Sequence, residues 1–578
     1  MSKTPQFNSA LAEILDNLQP HAKTCKQCNV NFDIFIEDIE MYKKLQVPPP
    51  TLCPDCRMQR LMGNRINFLP IFYKKTCSVP GHSEKIISLY SEKNPIKVYD
   101  DNFYISDQWD ALEFGKDYDL NQSFFAQFKD LILKAPHQSL QRDLKSINCE
   151  YTVSGTSSKN CYYVSTPWYS ENVYYGRLPA RSKDCMEVLN VNDNEGCYEG
   201  VSSDHCYNCV FYRNSANCMD SYFIFDCKNC SNCFGCSNLR NKQYCFFNEQ
   251  LSKEDYENKL KAVDLGKHSV FQEFTKKFTE KIFLKAIRKN LYNIKIENSI
   301  GNGLHECRDC FYVFDNIKGP TENLRYCASL DKCNNSMDVS GASNIDLVYE
   351  SVGIFPGNFV KFSNMIRGGQ ELEYCLECNN CAYCFGCVSL KNKKYCIFNK
   401  QYIEEEYWQK IDEIKSEMLK VGEYGEFFPL ANSPFPYGDS NASIEFPLSK
   451  EKVNKNGWHL EEGENDIDLS KFQIINAKNL PDDIKDVSDD ILNKVIICEK
   501  TGKPFKITKF EFDFYRVKNL PLPTVHPLQR IKDRFESRLP FKLWQYPCSN
   551  CGQIMYSGYD PDKNYKVYCE ECYLREIV

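Results

Sequence analysis

The residues best suited to chemistry in this sequence are four cysteines near its start. Cys25 and Cys28 form one C-x2-C pair, Cys53 and Cys56 form another, and about two dozen residues separate the pairs. Each pair can form a tight turn, and a hairpin between them lets the two turns meet, so the spacing predicts a tetrahedral structural zinc site. Because the protein supplies all four ligands and leaves no position open, a catalytic zinc is not expected here.

A second group of four cysteines lies at the other end of the chain. It consists of Cys548, Cys551, Cys569 and Cys572, again as two C-x2-C pairs. Gly552 follows the first pair, and the turn-rich stretch GYDPDKN separates the pairs, as in a zinc ribbon. We therefore expect two structural Zn²⁺ ions, one held by each group of four cysteines.

The two ends of the chain resemble one another when they are aligned at an offset of 473. Packing positions agree, so that Arg57 aligns with Arg530 and Tyr73 with Tyr546. The ligand positions agree less well: Cys25 aligns with Cys498, Cys28 with Thr501, Cys53 with His526 and Cys56 with Gln529. We predict that this second knuckle has kept its packing and lost its metal.

The C-terminal ribbon has a counterpart near the N-terminus, in the segment CSVPGHSEKIISLYSEKNPIKVYDDNFY. There Cys77, His82 and Asp100 stand where a set of ligands would be. We interpret these three residues as a degenerate remnant of a metal site. Each end of the chain then carries two successive modules and keeps a different one intact.

The middle of the chain is a repeat of twelve-residue units that begins near Asn148. One column of the repeat holds Cys149, Cys161, Cys185, Cys197, Cys209, Cys233 and Cys245. Asn, Asp or Gly usually precedes this column, which suits left-handed corners, and aromatic or β-branched residues follow it, which suits strands. The pattern predicts a central β-solenoid. Each coil holds one unit or two, and we favour the wider coil of two units because Tyr and Phe need interior room.

A second half of the solenoid repeats the first. The phrases NCSNCFGCSNLRNKQYCFFN and NCAYCFGCVSLKNKKYCIFN place Cys384 and Cys396 at an offset of 151 from Cys233 and Cys245, respectively. Each phrase leads into a helical pattern, SKEDYENKLKAV after the first and IEEEYWQKIDEIKSEMLK after the second. We interpret these as capping helices that cover an open end of each half.

Many cysteines in the repeat recur at three-residue spacing, and this pattern leaves three alternatives open. They are buried thiols packed in ladders, a zinc site, or an iron–sulfur cluster like those held by C-x2-C-x2-C runs in bacterial ferredoxins. The C-x3-C-P ending of such ferredoxins is absent. The cysteines concerned are Cys227, Cys230, Cys233, Cys236, Cys375, Cys378, Cys381, Cys384 and Cys387.

Composition limits the class and the compartment of the protein. The net charge of -7 gives no overall reason to expect a polyanionic partner. No apolar run approaches the length of a membrane span, and no secretory signal is evident, so we expect a cytoplasmic protein that does not enter a membrane. The 32 cysteines are then more readily explained as metal ligands or buried thiols than as disulfides. Export followed by disulfide formation is the alternative.

The predicted domain organisation follows the repeats and the modules. It comprises an N-terminal helical segment (1–24), a zinc-knuckle module (25–104), a helical connector (105–137), the first solenoid half (138–248), helices (249–288), the second solenoid half (289–399), a helix (400–426), a linker (427–496) and a second zinc-ribbon module whose first knuckle is degenerate (497–578). Acidic stretches in the linker, such as EEGENDIDLS, indicate a solvated tether.

Several phrases of the chain give it a resemblance to a known group of sequences. CFGC-x-x-LKNKKYCIFN, YDDNFYISDQWDALEFGKDYD and CEKTGKPFKI…FYRVKNLPLP are similar to a family of uncharacterised Cys-rich zinc-ribbon repeat proteins from candidate-phylum bacteria. The resemblance covers most of the chain. It implies zinc and a bacterial cytoplasmic setting and carries no activity. Thr501, His526 and Gln529 depart from a fourfold cysteine site.

The sequence favours a binding protein over an enzyme. It contains no Walker loop, no dinucleotide-binding glycine pattern, and neither the H-E-x-x-H nor the G-x-S-x-G motif, and no small-molecule substrate is evident. The first hypothesis is a non-enzymatic scaffold with an unidentified protein or RNA partner. The second is an RNA- or ribosome-associated protein, because CRMQRLMGNR and RIKDRFESR place several arginines on short helical segments. The third is a polysaccharide-active enzyme, by fold analogy with β-helices.

Overall fold

The computed structural model describes residues 3–460 and 469–577, which form two compact units. Unit one comprises Met1–Ile66, Phe72–Ser139 and Leu291–Gly463, and unit two comprises Asn67–Ile71, Leu140–Asn290 and Glu464–Val578. Each unit is therefore discontinuous in sequence. The N-terminal cysteines share a unit with the second half of the repeat, and the C-terminal cysteines share a unit with the first half.

Strands exceed helices in the structure. Among the described residues 34% are strand and 27% helix, which confirms the prediction of a mainly β protein with large parallel sheets. The first repeat forms one sheet, here called the first ladder. Its strands are Tyr151–Val153, Tyr162–Ser165, Glu171–Ala180, Lys183–Asn192, Tyr198–Asp204, Val210–Arg213, Tyr222–Phe225, Ser231–Ser237, Gln243–Phe246 and Glu249–Gln250.

The register of the first ladder decides between the two predicted coil widths. Apart from Tyr151, whose partner is Tyr162, each parallel partner lies one repeat unit further along the chain, as Met186 with Tyr198 and Val188 with Gly200. The same step continues to the last parallel pair, where Cys233 is the partner of Cys245. Neighbouring layers are thus one unit apart, and our preference for a coil of two units is wrong.

The backbone conformation in the first ladder follows a period of three residues. A residue with positive φ recurs at almost every third position, for example Asn160, Tyr163, Thr166 and Tyr169. The first of these positions recurs in each unit as Asn148, Asn160, Asn172 and Asp184. Asn, Asp and Gly adopt this left-handed conformation at low cost because a short polar side chain can hydrogen-bond locally and Gly has no side chain. The asparagine column is also hydrogen-bonded along the ladder, with the Asn148 Nδ2 donating to the Asn160 Oδ1 at 2.9 Å.

The core of the first ladder contains small residues at every third position. Nearly every residue of this buried cluster is Cys, Val or Ile, and Tyr212 is the exception. Other aromatic residues of the ladder lie in two different clusters. In one, Tyr174 and Tyr198 pack with Phe512 and Tyr515 of the C-terminal module, and the other contains Phe223, Phe225 and Phe234. The premise that Tyr and Phe need interior room is therefore wrong. The narrow interior is what selects cysteine.

The second repeat forms another largely parallel sheet, the second ladder, with a less regular beginning. Its first layers are one residue shorter than the repeat unit, as from Ile294 to His305, or two residues longer, as from Cys307 to Thr321. From Glu322, whose partner is Asn334, the step equals the repeat unit. Its strands are Ile294–Glu297, Ile300–Asn302, His305–Arg308, Phe311–Lys318, Thr321–Arg325, Ala328–Ile354, Gly357–Lys361, Asn364–Glu373, Asn379–Phe385, Lys394–Ile397 and Lys400–Gln401.

Small sheets and helices surround the ladders. The helices of unit one are Pro5–Asp16, Ile36–Leu45, Pro54–Gly63, Asp101–Ile105, Phe124–Lys134, Glu404–Val421, Ala442–Glu445 and Lys450–Lys455. Those of unit two are Lys253–Lys261, His268–Lys281, Lys509–Lys518, Pro527–Phe535 and Glu570–Ile577. The small strands are His21–Thr24, Asn31–Ile34, Tyr73–Thr76, Lys85–Ser88, Val98–Tyr99, His137–Gln138, Ile287–Lys289, Gln473–Asn476, Lys494–Ile497, Pro504–Phe505, Trp544–Pro547, Ile554–Ser557 and Lys566–Tyr568.

The predicted linker 427–496 is not a solvated tether where the structure describes it. Phe427, Phe428 and Tyr437 are buried, and so are Ile484 and Ile496. These apolar side chains make the segment part of the packed units, so the interpretation of a tether is wrong for them. Most of the acidic stretch that suggested it, residues 461–468, lies outside the described residues.

Candidate metal centres

The N-terminal cysteines converge in what is here called the N-terminal knuckle. The hairpin of His21–Thr24 and Asn31–Ile34 carries Cys25 and Cys28 in its turn, where the Cys25 N–H donates to the Val30 carbonyl at 3.0 Å. Cys53 and Cys56 lie at the start of the helix Pro54–Gly63. All four Sγ atoms lie within 4.8 Å of one another.

The thiols of this knuckle share hydrogen bonds, which favour the thiolate form of Cys53. Cys28 and Cys53 have their Sγ atoms 3.7 Å apart. Hydrogen bonding from Cys56 lowers the pKa of Cys53 to about 5, against the opposing effect of burial. The same hydrogen bond raises the pKa of Cys56. Since the thiolate is the form that binds metals, and one thiolate is already favoured here, four cysteines at this spacing could hold a metal ion.

The C-terminal cysteines converge in the C-terminal ribbon. Cys548 and Cys551 lie in the turn between Trp544–Pro547 and Ile554–Ser557. Cys569 and Cys572 lie at the start of the helix Glu570–Ile577, and the four Sγ atoms again lie within 4.8 Å of one another. The Sγ atoms of Cys551 and Cys569 are 3.9 Å apart.

Backbone amides favour the thiolate in the C-terminal ribbon. The Sγ of Cys548 accepts N–H groups from Cys569 at 3.2 Å and from Asn550 at 3.5 Å. Burial would raise the pKa of Cys548, but these and neighbouring N–H groups lower it to about 6. Both predicted cysteine groups are thus assembled as candidate metal sites in which the protein supplies all four ligand atoms.

The C-terminal knuckle keeps the frame of the N-terminal one with other side chains. The Cys498 Sγ accepts the N–H groups of Thr501 at 3.3 Å and His526 at 3.2 Å. His526 uses its Nδ1 to accept the Leu528 N–H at 3.2 Å, as the cap of the helix Pro527–Phe535. The Gln529 amide donates to Asp533 at 2.7 Å. The positions aligned with cysteines therefore serve capping and surface contacts.

The degenerate set near the N-terminus, here called the N-terminal ribbon, is brought together. The Cys77 Sγ lies 3.7 Å from His82 Nδ1 and 3.9 Å from Asp100 Oδ2. Sequence reasoning missed Glu84, whose Oε1 lies 2.9 Å from the His82 Nδ1. Ligand atoms of Cys77, His82 and Glu84 all lie within 4.8 Å of one another. Glu84 follows His82 closely in the sequence, and this proximity was the available signal.

The ladder cysteines have a different environment. They are buried, and their thiols donate to the backbone carbonyl two residues earlier, as Cys185 to Lys183 at 3.2 Å and Cys209 to Tyr207 at 3.4 Å. Within residues 3–460 and 469–577, no group of three or more closely spaced metal ligands includes a ladder cysteine. Their three-residue spacing is the period of the ladder core. These contacts favour the thiol-packing alternative.

No protein-family model and no curated protein matches the chain. Within the described ranges, no helix combines the length and apolarity that crossing a bilayer requires.

Two of the three arginines that suggested RNA binding in unit one are buried in ion pairs, and the third, Arg65, is buried and donates to the carbonyls of Ser340 and Gly341. Arg57, 1% exposed, donates from Nε to Asp338 at 2.7 Å. Arg60 lies 2.6 Å from both Glu350 and Glu426. Asp338 and Glu350 belong to the second ladder, so these contacts attach the N-terminal knuckle to that ladder.

Unit two repeats this attachment with the C-terminal knuckle. Arg530 and Arg534 are buried and both pair with Glu187 of the first ladder. Arg534 also lies 2.8 Å from Glu199. Since their guanidinium groups are paired within the unit, these arginines do not form an exposed phosphate-binding surface.

Proposed function

We propose that the protein is a zinc-binding, non-enzymatic interaction scaffold, located in the cytoplasm, whose body is built from two β-solenoid halves. The two groups of four cysteines are the observation that carries this proposal. Four thiolates around one ion form a closed tetrahedral site, the arrangement of structural zinc, and leave no position for a substrate. In this role zinc stabilises a module and does no chemistry.

The β-solenoid part of the proposal is supported by the ladder register. Parallel partners one repeat unit apart recur along the first ladder, and most buried core residues occupy every third position. A chain that advances by one layer with every unit stacks like residues on like residues. Such a stack gives a long surface with regularly spaced side chains, which suits the binding of an extended partner.

The ion pairs between each knuckle and its ladder support the proposal that the knuckles are fixed parts of the scaffold. Asp338 and Glu350 anchor the arginines of the N-terminal knuckle, and Glu187 and Glu199 anchor those of the C-terminal knuckle. A guanidinium held by a buried carboxylate cannot also contact a phosphate. Four of the arginines that suggested RNA binding, Arg57, Arg60, Arg530 and Arg534, are therefore engaged within their units.

An open trough on the second ladder is the surface that we assign to a partner. Its volume is about 610 Å³, and successive layers contribute Asn334, Asp346, Asn358 and Gln370 to its lining. Asp346 is the single carboxylate among the lining residues. Glycosidases use a pair of carboxylates, so this trough suits the binding of an extended polar chain better than its hydrolysis.

Metal analysis tests the zinc part of the proposal. Purified protein dialysed against a weak chelator should retain two zinc ions per chain. Retention of one ion or none, or the brown colour of an iron–sulfur cluster, would contradict it. The resemblance to the candidate-phylum family is part of the same proposal, and purification from a native bacterial host is the experiment that addresses it.

Partner capture tests the scaffold part. A partner protein cross-linked to the wild type should be lost from the variant Asp346→Lys/Asn358→Arg and kept by the control Glu322→Lys, which alters an exposed side chain of the same ladder. RNA that co-purifies and is released steeply by salt would favour the RNA hypothesis instead. Cleavage of a polysaccharide that Asp346→Asn abolishes would favour an enzyme.

A further inference from the structure

We propose that the N-terminal ribbon is a third metal site, which takes a divalent cation such as Zn²⁺ or Co²⁺ and leaves one coordination position open. Its proposed ligands are Cys77, His82 and Asp100. The Asp100 Oδ2 lies 3.9 Å from the Cys77 Sγ, and Glu84, which lies within 4.8 Å of the ligand atoms of Cys77 and His82, is the further candidate for the open position. This site is additional to the two closed cysteine sites and does not depend on the scaffold role.

Two backbone hydrogen bonds of this ribbon have counterparts in the C-terminal ribbon. The Cys77 N–H donates to the backbone carbonyl of Glu84 at 3.1 Å, and the Ser78 N–H donates to that of Val98 at 2.8 Å. In the C-terminal ribbon the Cys548 N–H donates to Gln553 at 2.8 Å and the Ser549 N–H to Val567 at 2.9 Å. The third strand of each ribbon is thus joined to the same point of the turn.

Two further pairs of bonds extend the match to the helix that carries the later ligands. The Ser78 hydroxyl accepts the Val98 N–H at 3.1 Å, as Ser549 accepts from Val567 at 3.2 Å. In the helices, the Tyr104 N–H donates to the carbonyl of Asp100 at 2.8 Å, and the Tyr573 N–H to that of Cys569 at 2.9 Å.

These bonds identify the ligand positions of the N-terminal ribbon. Cys77 follows its first strand as Cys548 does, and Asp100 occupies the position of Cys569. His82 lies in the longer turn that replaces the one containing Cys551. Phe103 stands where Cys572 would be, and its ring lies 5.9 Å from that of His82. One thiol is therefore kept, a ring nitrogen and a carboxylate oxygen replace two others, and the fourth ligand is lost.

Asp100 is held in position for this role. Its Oδ1 accepts the N–H groups of Asn102 at 3.1 Å and Phe103 at 3.0 Å, which fixes the carboxylate as a helix cap. Its Oδ2 faces the buried Cys77 Sγ at 3.9 Å. One oxygen is thus committed to the backbone, and the other remains directed at the thiol.

The ligand types determine the kind of site. Zn²⁺ and Co²⁺ accept sulfur, nitrogen and oxygen ligands together, and three protein ligands leave a position for water or Glu84. Half-exposed His82 and Glu84 let solvent reach that position. We therefore expect an exchangeable ion that binds more weakly than those of the four-cysteine sites.

Titration of the metal-free full chain with Co²⁺ tests the proposal. The wild type should bind three equivalents, and the third should dissociate first when a chelator is added, with a Kd at least tenfold higher than the other two. Its thiolate-to-cobalt absorption should be weaker, since one thiolate contributes instead of four. Saturation at two equivalents would overturn the proposal.

Variants separate this site from the other two. His82→Ala and Asp100→Asn, which keeps a helix cap, should each remove the third equivalent and leave two, whereas the control His21→Ala should bind three. Phe103→Cys should restore a fourth ligand and tighten the third equivalent at least tenfold. A third equivalent that survives His82→Ala, or is unaffected by Phe103→Cys, would contradict the assignment. Loss of the two tight equivalents would count against the structural zinc sites alone.

Discussion

The two units attach a knuckle to a ladder through corresponding residues. In unit one, the Tyr326 hydroxyl donates to the Asp38 carboxylate at 3.3 Å, and the ring centroids of Tyr42 and Tyr349 are 6.4 Å apart. In unit two, the Tyr175 hydroxyl donates to the Glu511 carboxylate at 2.9 Å, and the ring centroids of Tyr515 and Tyr198 are 5.9 Å apart. The knuckle residues are 473 positions apart, the ladder residues 151, and the same offset of 151 relates Glu187 to Asp338 and Glu199 to Glu350.

The units differ in where they keep four cysteines. Unit one keeps them in its knuckle, at Cys25 and its partners, and unit two keeps them in its ribbon, at Cys548 and its partners. The buried attachment is present in both. Both units therefore share the packed interface between knuckle and ladder. Each unit also has a four-cysteine site, but the site lies in the knuckle of unit one and in the ribbon of unit two.

The largest expected effect comes from removing a thiolate from one four-cysteine site. Cys53→Ser should reduce bound zinc by one equivalent and unfold the N-terminal knuckle, because structural zinc contributes on the order of 10 kcal/mol to such modules. Cys498→Ser, at the first-ligand position of the other knuckle, should leave the zinc content unchanged. Metal analysis and limited proteolysis measure both. Equal zinc loss in the two variants would remove the difference between the units.

The next effect concerns the shared attachment. Arg57→Ala leaves Asp338 buried and unpaired and should destabilise unit one by about 3–5 kcal/mol, and Arg530→Ala should do the same in unit two. The control Arg308→Ala, at an exposed ion pair with Glu322, should cost less than about 1 kcal/mol. Urea unfolding at constant zinc measures the changes. A cost confined to one unit would show that the interfaces are not equivalent.

The two ladders differ at Glu373, a carboxylate of the second ladder that lies close to two lysines. Burial would raise the pKa of Glu373, but Lys361 at 3.4 Å and Lys415 at 2.8 Å lower it to about 2. Tyr222 occupies the corresponding position of the first ladder, at the offset of 151. A depressed carboxylate pKa stabilises the native state above the unfolded pKa, and this stability is lost as the pH falls from about 4.5 to about 2.

The corresponding measurement uses Glu373→Gln. It should lower the free energy of unfolding by about 3 kcal/mol above pH 5, and the difference from the wild type should shrink toward pH 2. Glu322→Gln serves as an exposed control and should change little at any pH. A difference that is constant with pH would show that the effect of Glu373 is packing and not charge.

The smallest effect is expected in the ladder core. Cys233→Ala removes one buried sulfur from the first ladder and should cost about 1 kcal/mol with no change in bound zinc. Cys384→Ala, at the matching position of the second ladder, should behave alike. Thermal unfolding and metal analysis check both. Loss of a metal ion in either variant would show that ladder thiols are ligands.

Local patterns in the sequence predicted much of the fold. The recurrence of Cys149, Cys161 and Cys185 revealed the repeat unit, and C-x2-C pairs revealed both four-cysteine sites. The three-residue spacing of Cys227 and Cys230 was the visible sign of the core period. We gave it a metal-binding alternative because such runs also occur in ferredoxins.

Other features could not be predicted because they depend on contacts between distant segments. Arginine is seldom buried, so the segments that contain Arg57 and Arg530 also suited an exposed, phosphate-binding surface. Nothing local to Arg57 indicates that its partner is Asp338, which lies far along the chain in the second ladder. Aromatic residues beside the cysteine column suited an interior as well as an interface, and only packing against Phe512 and Tyr515 distinguishes the two.

The constant step of one unit per layer governs how a chain of this design can vary in length. Inserting a complete unit would add one layer and leave each later cysteine facing inward, whereas one or two extra residues would turn the cysteines that follow toward solvent. The step from Cys307 to Thr321 contains two extra residues, and it lies before Glu322, where the regular step of one unit per layer begins. Natural length variants should therefore gain or lose whole layers, or differ at that junction.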